Sequence, residues 1–200
     1  MPRPFVIGVT GNIACGKSSV SRLLDEFGAT VIDADRVYHE LIQSGMPLQD
    51  ALRDRFGDVV VGADRQIDRK ALGAIVFADP AALADLDRLT HPVVVAETIV
   101  RIEDARTRIV VVDAVKLYES GIAECCDEVW LVICNPEVQL SRLMLRNGID
   151  RADAERRIAA QPPLETKIIQ SSRIIDNSSD PEGLRASVTR AWKDVTSERS

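Results

Sequence analysis

Apolar residues run without alternation at Phe5-Val6-Ile7-Gly8-Val9, at Ile109-Val110-Val111-Val112 and at Val129-Trp130-Leu131-Val132-Ile133, each bounded by turn or polar residues. Unbroken runs of this length suit strands buried on both faces of a parallel sheet. Shorter runs at Thr30-Val31-Ile32 and Ile174-Ile175 each end in an aspartate, Asp33 and Asp176, and amphipathic stretches lie between all five. The repeated order strand, helix, strand predicts an α/β doubly wound fold, a five-stranded parallel sheet flanked by helices. Helix starts are signalled at Asp79-Pro80, Asn135-Pro136 and Asp180-Pro181, where an Asx cap precedes a proline at the first helical position. From Asp33 to Arg108 there is no strand pattern, only helical patterns broken at Gly45-Met46-Pro47, Gly57 and His91-Pro92. This predicts a helical insertion, about residues 36–107, able to hold a substrate. Without repeats or low-complexity linkers, residues 1–200 read as one continuous domain.

The totals narrow the function. Two hundred residues with 46% apolar content bury one sizeable core. A net charge of -6 and a pI near 5.0 argue against nucleic acid or an anionic membrane as partner, so any basic site must be local. Cys15, Cys125, Cys126 and Cys134 show neither a CxxC pair nor zinc spacing, and adjacent Cys125 and Cys126 make a poor disulfide framework, which reads as reduced thiols. Met1 to Pro4 is too short for a signal peptide and no apolar run approaches the roughly 18 residues that span a bilayer, so the expectation is a soluble, cytoplasmic protein. His39 and His91 lack a second histidine or cysteine at ligand spacing; His91, before Pro92, caps a helix or touches substrate.

The strongest chemical signal is Gly11-Asn12-Ile13-Ala14-Cys15-Gly16-Lys17-Ser18, which fits GxxxxGK[ST] directly after the Phe5 to Thr10 strand and before the helical stretch Ser19 to Phe27. Its glycines let backbone N–H groups turn inward around phosphates, and the helix N-terminus adds its positive dipole end. Lys17 would reach the β and γ phosphates of ATP, and Ser18 would ligate Mg²⁺. By chance the pattern arises in about one in a hundred chains of this length. A P-loop does not by itself separate a kinase from a switch GTPase or a mechanical ATPase, but the Asn-Lys-x-Asp segment of guanine specificity is absent.

Asp33 and Asp35 follow the second expected strand and so share the carboxyl edge of the sheet with the P-loop. A carboxylate there can orient an acceptor hydroxyl and take its proton, so Asp33 is the expected base, with Asp35 as the helix cap. From Arg142 to Arg173 seven basic residues face four acidic ones, against the acidic trend of the whole. Arg142 and Arg146 share a helix face ahead of the turn signal Asn147-Gly148, which predicts a lid over about residues 142–166 that brings guanidinium groups to the transferring phosphate. Arg151, Arg156 and Arg157, interleaved with Asp153 and Glu155, read equally well as a solvated face. Asp113, closing the third expected strand, is the candidate to hold Mg²⁺ through water.

Thr10-Gly11 at the start of the P-loop, Val31-Ile32-Asp33-Ala34-Asp35, Phe56-Gly57, Ile75-Val76-Phe77, His91-Pro92, Leu117-Tyr118-Glu119, Gln161 and Ile175-Asp176-Asn177 together resemble the dephospho-coenzyme A kinase family. The resemblance runs from about Phe5 to Asn177. It implies a P-loop kinase fold with a helical coenzyme-A-binding part and a lid, and transfer of the ATP γ-phosphoryl group to the ribose 3′-hydroxyl of dephospho-coenzyme A. By position it implies that Thr10, Asp33 and His91 face the acceptor and that Gly11 to Ser18, with Ser19, hold ATP. Arg142 or Arg146 would act from the lid, and Asn177 would lie near the adenine. The chain departs from the family's Asp-x-Pro-Leu-Leu-[Tyr/Phe]-Glu pattern with Val115 and Lys116, where Lys116 pairs with Asp113, meets a phosphate or is merely exposed. Ser171-Ser172 is a second departure, where Ala-Asp is frequent. The alternatives are a P-loop kinase of a nucleoside monophosphate or sugar, and a nucleotide-dependent switch. The assembly expected is a monomer or weak homo-oligomer.

Overall fold

The computed structural model describes residues 3–197. Strands β1 (Phe5–Gly11), β2 (Thr30–Asp33), β3 (Ile109–Asp113), β4 (Glu128–Ile133) and β5 (Arg173–Asp176) form one parallel sheet in the order β2-β3-β1-β4-β5. Each expected run became a strand. Alternate residues of a strand point to opposite faces, and here both faces are covered. Val6, Val110, Val112 and Ile32 pack on one side, and Ile7, Val9, Val111 and Trp130 on the other. Two-sided burial is why the strands read as continuous rather than alternating apolar runs.

Helices α1 (Lys17–Glu26) and α9 (Pro181–Ser197) cover the second face through Val20, Leu24, Leu184 and Val188. The first face is covered by α2 (Ala34–Leu41) and α5 (Pro80–Asp104) through Val37, Val94 and Ile102. With α3 (Pro47–Phe56) and α4 (Arg69–Ala78) between them, these helices form the insertion, whose own core contains Leu48, Leu52, Phe56, Leu72 and Val76. An isolated antiparallel bridge joins Val61 to Ile67 there. Helices α6 (Pro136–Asn147), α7 (Arg151–Ala159) and α8 (Leu164–Gln170) follow β4, and the first two pack together around Leu140, Leu143 and Ala154.

The expected helix starts hold: Asp79 accepts from Ala81 N–H, Asn135 from Glu137 N–H and Asp180 from Gly183 N–H. Two expectations are corrected. The break at His91-Pro92 does not occur, because α5 runs from Pro80 to Asp104 with Pro92 inside it. Proline removes one helical hydrogen bond, but the two halves of α5 are anchored in different cores. Ala82, Leu83, Leu86 and Leu89 sit in the insertion core and Val94, Val95 and Ile102 against the sheet. Tertiary packing thus overrides the local penalty, and α5 becomes a strut joining the insertion to the sheet. The second correction is that Asp33, not Asp35, caps α2: its Oδ1 accepts from the N–H groups of Asp35 and Arg36 at 2.9 and 3.1 Å. The helix starts at Ala34, two residues earlier than a cap at Asp35 would have it.

Candidate active site

β1 delivers the P-loop at the carboxyl edge of the sheet. A Cβ at Gly11 would lie 2.5 Å from the Val132 carbonyl oxygen of β4, so the sheet itself demands glycine there. Ala14 (φ 61°) and Gly16 (φ 89°) take left-handed conformations, and such residues within a tight loop turn successive N–H groups into one concavity. For Ala14 this conformation is strained, which is the kind of cost that accumulates at functional loops. The N-terminus of α1 stands directly behind, adding its dipole.

Three side-chain amides hold the loop in this shape. Gln161 Oε1 accepts from Ile13 N–H at 2.8 Å, Gln139 Nε2 donates to the Ile13 carbonyl at 2.8 Å, and Asn177 Nδ2 donates to the Cys15 carbonyl at 2.8 Å. Asn177 is buried beneath the loop, and a side chain at Gly16 would run into its Nδ2. Gln139 was not anticipated, and Gln161 was marked only by resemblance. Their signal in sequence is slight: Gln139 shares its face of α6 with Arg142 and Arg146, and Gln161 lies just past the end of α7. Within the loop, Asn12 Oδ1 is buried without a hydrogen-bond partner among the described residues. The Cys15 thiol lies in the core beside Cys134 and donates to it. That contact, with burial, pushes Cys15 far above the ordinary thiol range, while the same hydrogen bond and the Arg142 guanidinium hold Cys134 below it. All four cysteines are free thiols.

Lys17 forms an ion pair with Asp113 Oδ1, and Ser21 Oγ donates to Asp113 Oδ2 at 2.6 Å. Ser21 stands one helical turn after Lys17, on the same face. Burial pushes the Lys17 ammonium below its ordinary value, while the carboxylates of Asp35 and Asp33 act against that. Ser18 is exposed at the first turn of α1. Among the described residues no group of three or more His, Cys, Asp or Glu is placed to hold a metal ion. The Ser18 hydroxyl and the Asp113 carboxylate are oxygen donors of the kind a hard divalent cation takes.

Of the basic residues around the lid, Arg151 pairs with Glu137 and Glu155, Arg156 with Asp153, and Arg173 with Glu128 and Asp194. Arg142 and Arg146 have no carboxylate partner among the described residues. Arg142 Nη1 donates to the Asn177 carbonyl at 2.9 Å and Arg146 Nε to Asn147 Oδ1 at 3.0 Å. Both line a cavity of about 610 Å³ with Gly11, Lys17, Ser18 and Gln161. Ile13 and Ala14 of the P-loop pack against Leu140, Leu143 and Ala154 of α6 and α7, so these helices and the loop share apolar contact.

A second cavity, of about 200 Å³, lies between the start of α2, the middle of α5 and the segment after β3. Its walls include Tyr38, Thr90, His91 and Lys116, and it shares Asp35 and Val115 with the P-loop cavity. Thr10 is fully buried and donates its hydroxyl to the Val115 carbonyl at 3.2 Å, so it stands behind this wall. Buried Lys167 approaches the same carbonyl at 3.5 Å. Lys116 turns away from Asp113 and bridges both carboxylate oxygens of Asp87 at 2.7 and 2.8 Å. Ser171 Oγ, at the second departure, bonds to the Tyr118 hydroxyl at 2.8 Å. A larger cavity of about 690 Å³, lined by Arg3, Glu103 and Arg106, lies at the opposite edge of the sheet, remote from the P-loop.

The family described as dephospho-CoA kinase matches residues 5–182. A dephospho-CoA kinase of Symbiobacterium thermophilum is 45% identical over 94% of this chain and 80% of its own length, and one of Geobacter metallireducens is 42% identical over 95% and 96%. The solved dephospho-CoA kinase of Campylobacter jejuni superposes with a TM-score of 0.72 at 26% identity, covering 98% of both chains. A shikimate kinase of Bacteroides thetaiotaomicron, 15% identical with a TM-score of 0.56 over 96% of this chain and 98% of its own, shares the fold.

Proposed function

The chain belongs to the dephospho-CoA kinase family, and we propose that it carries out the family's reaction where its two cavities meet, with Asp33 as the base. The enzyme is an ATP-dependent kinase that transfers the γ-phosphoryl group to the ribose 3′-hydroxyl of dephospho-coenzyme A, forming coenzyme A. ATP occupies the P-loop cavity, with its phosphates against residues 11–19 and its adenine toward Asn177. The acceptor occupies the smaller cavity, walled by His91, with Thr10 supporting the Val115 wall from behind. One observation carries this reading: Asp35 and Val115 line both cavities, and Asp33, two residues before Asp35 at the end of β2, is near enough for its carboxylate to bear on the Lys17 ammonium.

Asp33 uses Oδ1 for the helix cap, which leaves Oδ2 to orient the ribose hydroxyl and take its proton as the phosphoryl group moves. Lys17 exchanges Asp113 for the β and γ phosphates. Arg142 and Arg146, unpaired by any carboxylate, meet the charge on the transferring group when the lid closes. Ser18, and Asp113 through water, would hold Mg²⁺ together with the phosphates, and the ion would supply charge neutralisation. The enzyme acts in the cytoplasm as a monomer or weak homo-oligomer.

The test is ADP release by the purified protein with Mg²⁺ and ATP across a panel of acceptors, against an acceptor-free control. Dephospho-coenzyme A should be turned over and 3′-phosphorylated. Preferential turnover of a nucleoside monophosphate or a sugar would sink the assignment, as would hydrolysis indifferent to any acceptor.

A further inference from the structure

Three side chains from two distant segments meet at the smaller cavity. Lys116 follows β3, and Asp87 and His91 stand one turn apart on α5. Asp87 receives Lys116 Nζ on both oxygens, and its Oδ1 also lies 3.3 Å from His91 Nε2. A lone pair on Nε2 at that distance would face the carboxylate's own lone pairs, so the electrostatically favoured neutral ring carries its proton on Nε2. The ring nitrogen then left for a ligand is Nδ1, as an acceptor.

We propose that Lys116, acting through Asp87, is a positioning residue for the acceptor substrate: it keeps the His91 ring neutral and protonated on Nε2, so that Nδ1 accepts a hydrogen bond from the molecule in the pocket. This deepens the reading above and rests on it, since the acceptor must occupy the cavity that His91 lines. The charges around the ring support the arrangement. Asp87 faces it from its own helix, Lys116 and Glu119 from the segment after β3, and Asp35 and Tyr38 line the same pocket from α2. Burial pushes His91 below the ordinary imidazole value and Lys116 adds to this, against Asp87 and Glu119. Lys116 also occupies Asp87, which would otherwise attract a proton to the ring. A leucine, usual at this position in the resembling family pattern, could do neither.

The chain has two histidines, His39 and His91, so ring ¹⁵N resonances can be assigned with His39→Gln, and both tautomer and titration midpoint read directly. In Lys116→Leu the His91 midpoint should rise by roughly half a unit or more as the cation is lost. The pH below which the acceptor KM climbs should rise with it, to about fivefold at its worst, the worth of one net hydrogen bond. Lys116→Arg should restore both, and Asp87→Asn should lower the midpoint and mix the tautomers. An unmoved midpoint in Lys116→Leu overturns the proposal wherever the acceptor binds, as does a moved midpoint with no change in the pH profile of the acceptor KM. If His91→Gln also leaves that KM unchanged, the acceptor lies elsewhere, and the placement under Proposed function falls as well.

Discussion

On the function proposed above, the donor and acceptor sides of this enzyme are built in different ways. The phosphate-binding part of the donor cleft is one contiguous segment, residues 11–18, whose conformation is fixed through its backbone: glycines that neighbouring atoms require, and amides of Gln139, Gln161 and Asn177 bonded to main-chain groups. The acceptor pocket is assembled from α2, α5 and the segment after β3, and its polar wall is tied by charged side chains such as Lys116 and Asp87. A site made of backbone tolerates change among its neighbours but not in its conformation. A site made of side chains from separate elements can be retuned one residue at a time.

The largest effect expected lies where the two sides touch. Asp33→Asn keeps a good N-cap for α2 but cannot take a proton at neutral pH, so kcat should fall by about 10² to 10⁴ with the acceptor KM little changed and the thermal melt preserved. Asp35→Asn in parallel should leave the melt unmoved, because Asp35 is not the cap. If Asp35→Asn abolishes turnover while Asp33→Asn stays active, the base has been assigned to the wrong carboxylate.

Next comes Lys17→Ala, with a loss of about 10² to 10³ in turnover, the range for removing one preorganised charge from a developing anion. The acceptor's binding should survive it, and steady-state rates with equilibrium dialysis of dephospho-coenzyme A would separate the two. Arg142→Ala and Arg146→Ala should lower kcat more than they weaken ATP binding, since a lid arginine acts chiefly on the transferring group. Wild-type kcat in both would remove the lid from the chemistry.

The same contrast decides what sequence can disclose. The three central strands were legible because two-sided burial leaves an unbroken apolar run, the edge strands β2 and β5 because a shorter apolar run ends in an aspartate, and the P-loop because its chemistry lies within eight consecutive residues. The cap of α2 was misplaced because Asp33 and Asp35 are both good Asx caps, and the choice depends on a two-residue shift of the strand-to-helix boundary. Pro92 misled because the forces that carry α5 through it come from two separate cores. Lys116 could not be partnered because Asp87 lies 29 residues away on another element. Gln139 and Gln161 grip Ile13 across 126 and 148 residues. Local backbone chemistry writes itself into sequence, whereas contacts between elements exist only once the chain has folded.

The smallest effects test whether the two sides are mechanically separate. Asp68 caps α4 in the insertion by accepting from the N–H groups of Lys70 and Ala71, and Asp150 caps α7 in the lid by accepting from Asp153 N–H. Either aspartate replaced by alanine should cost about 1 kcal/mol, seen as a melting shift of about 2–4 °C for a chain of this size. Their kinetic consequences should diverge. The insertion core that α4 completes also packs Tyr38 and Leu86, which line the acceptor pocket, so Asp68→Ala should raise the acceptor KM slightly and leave that for ATP alone. Ala154 of α7 packs in the cluster that contacts Ile13 and Ala14 of the P-loop, so Asp150→Ala should do the reverse. The measurement is both Michaelis constants on both variants at one temperature below either melt. If each variant moves both constants together, the insertion and the lid respond as one body, and the division between a backbone-built donor site and a side-chain-built acceptor site does not extend to how the enzyme moves.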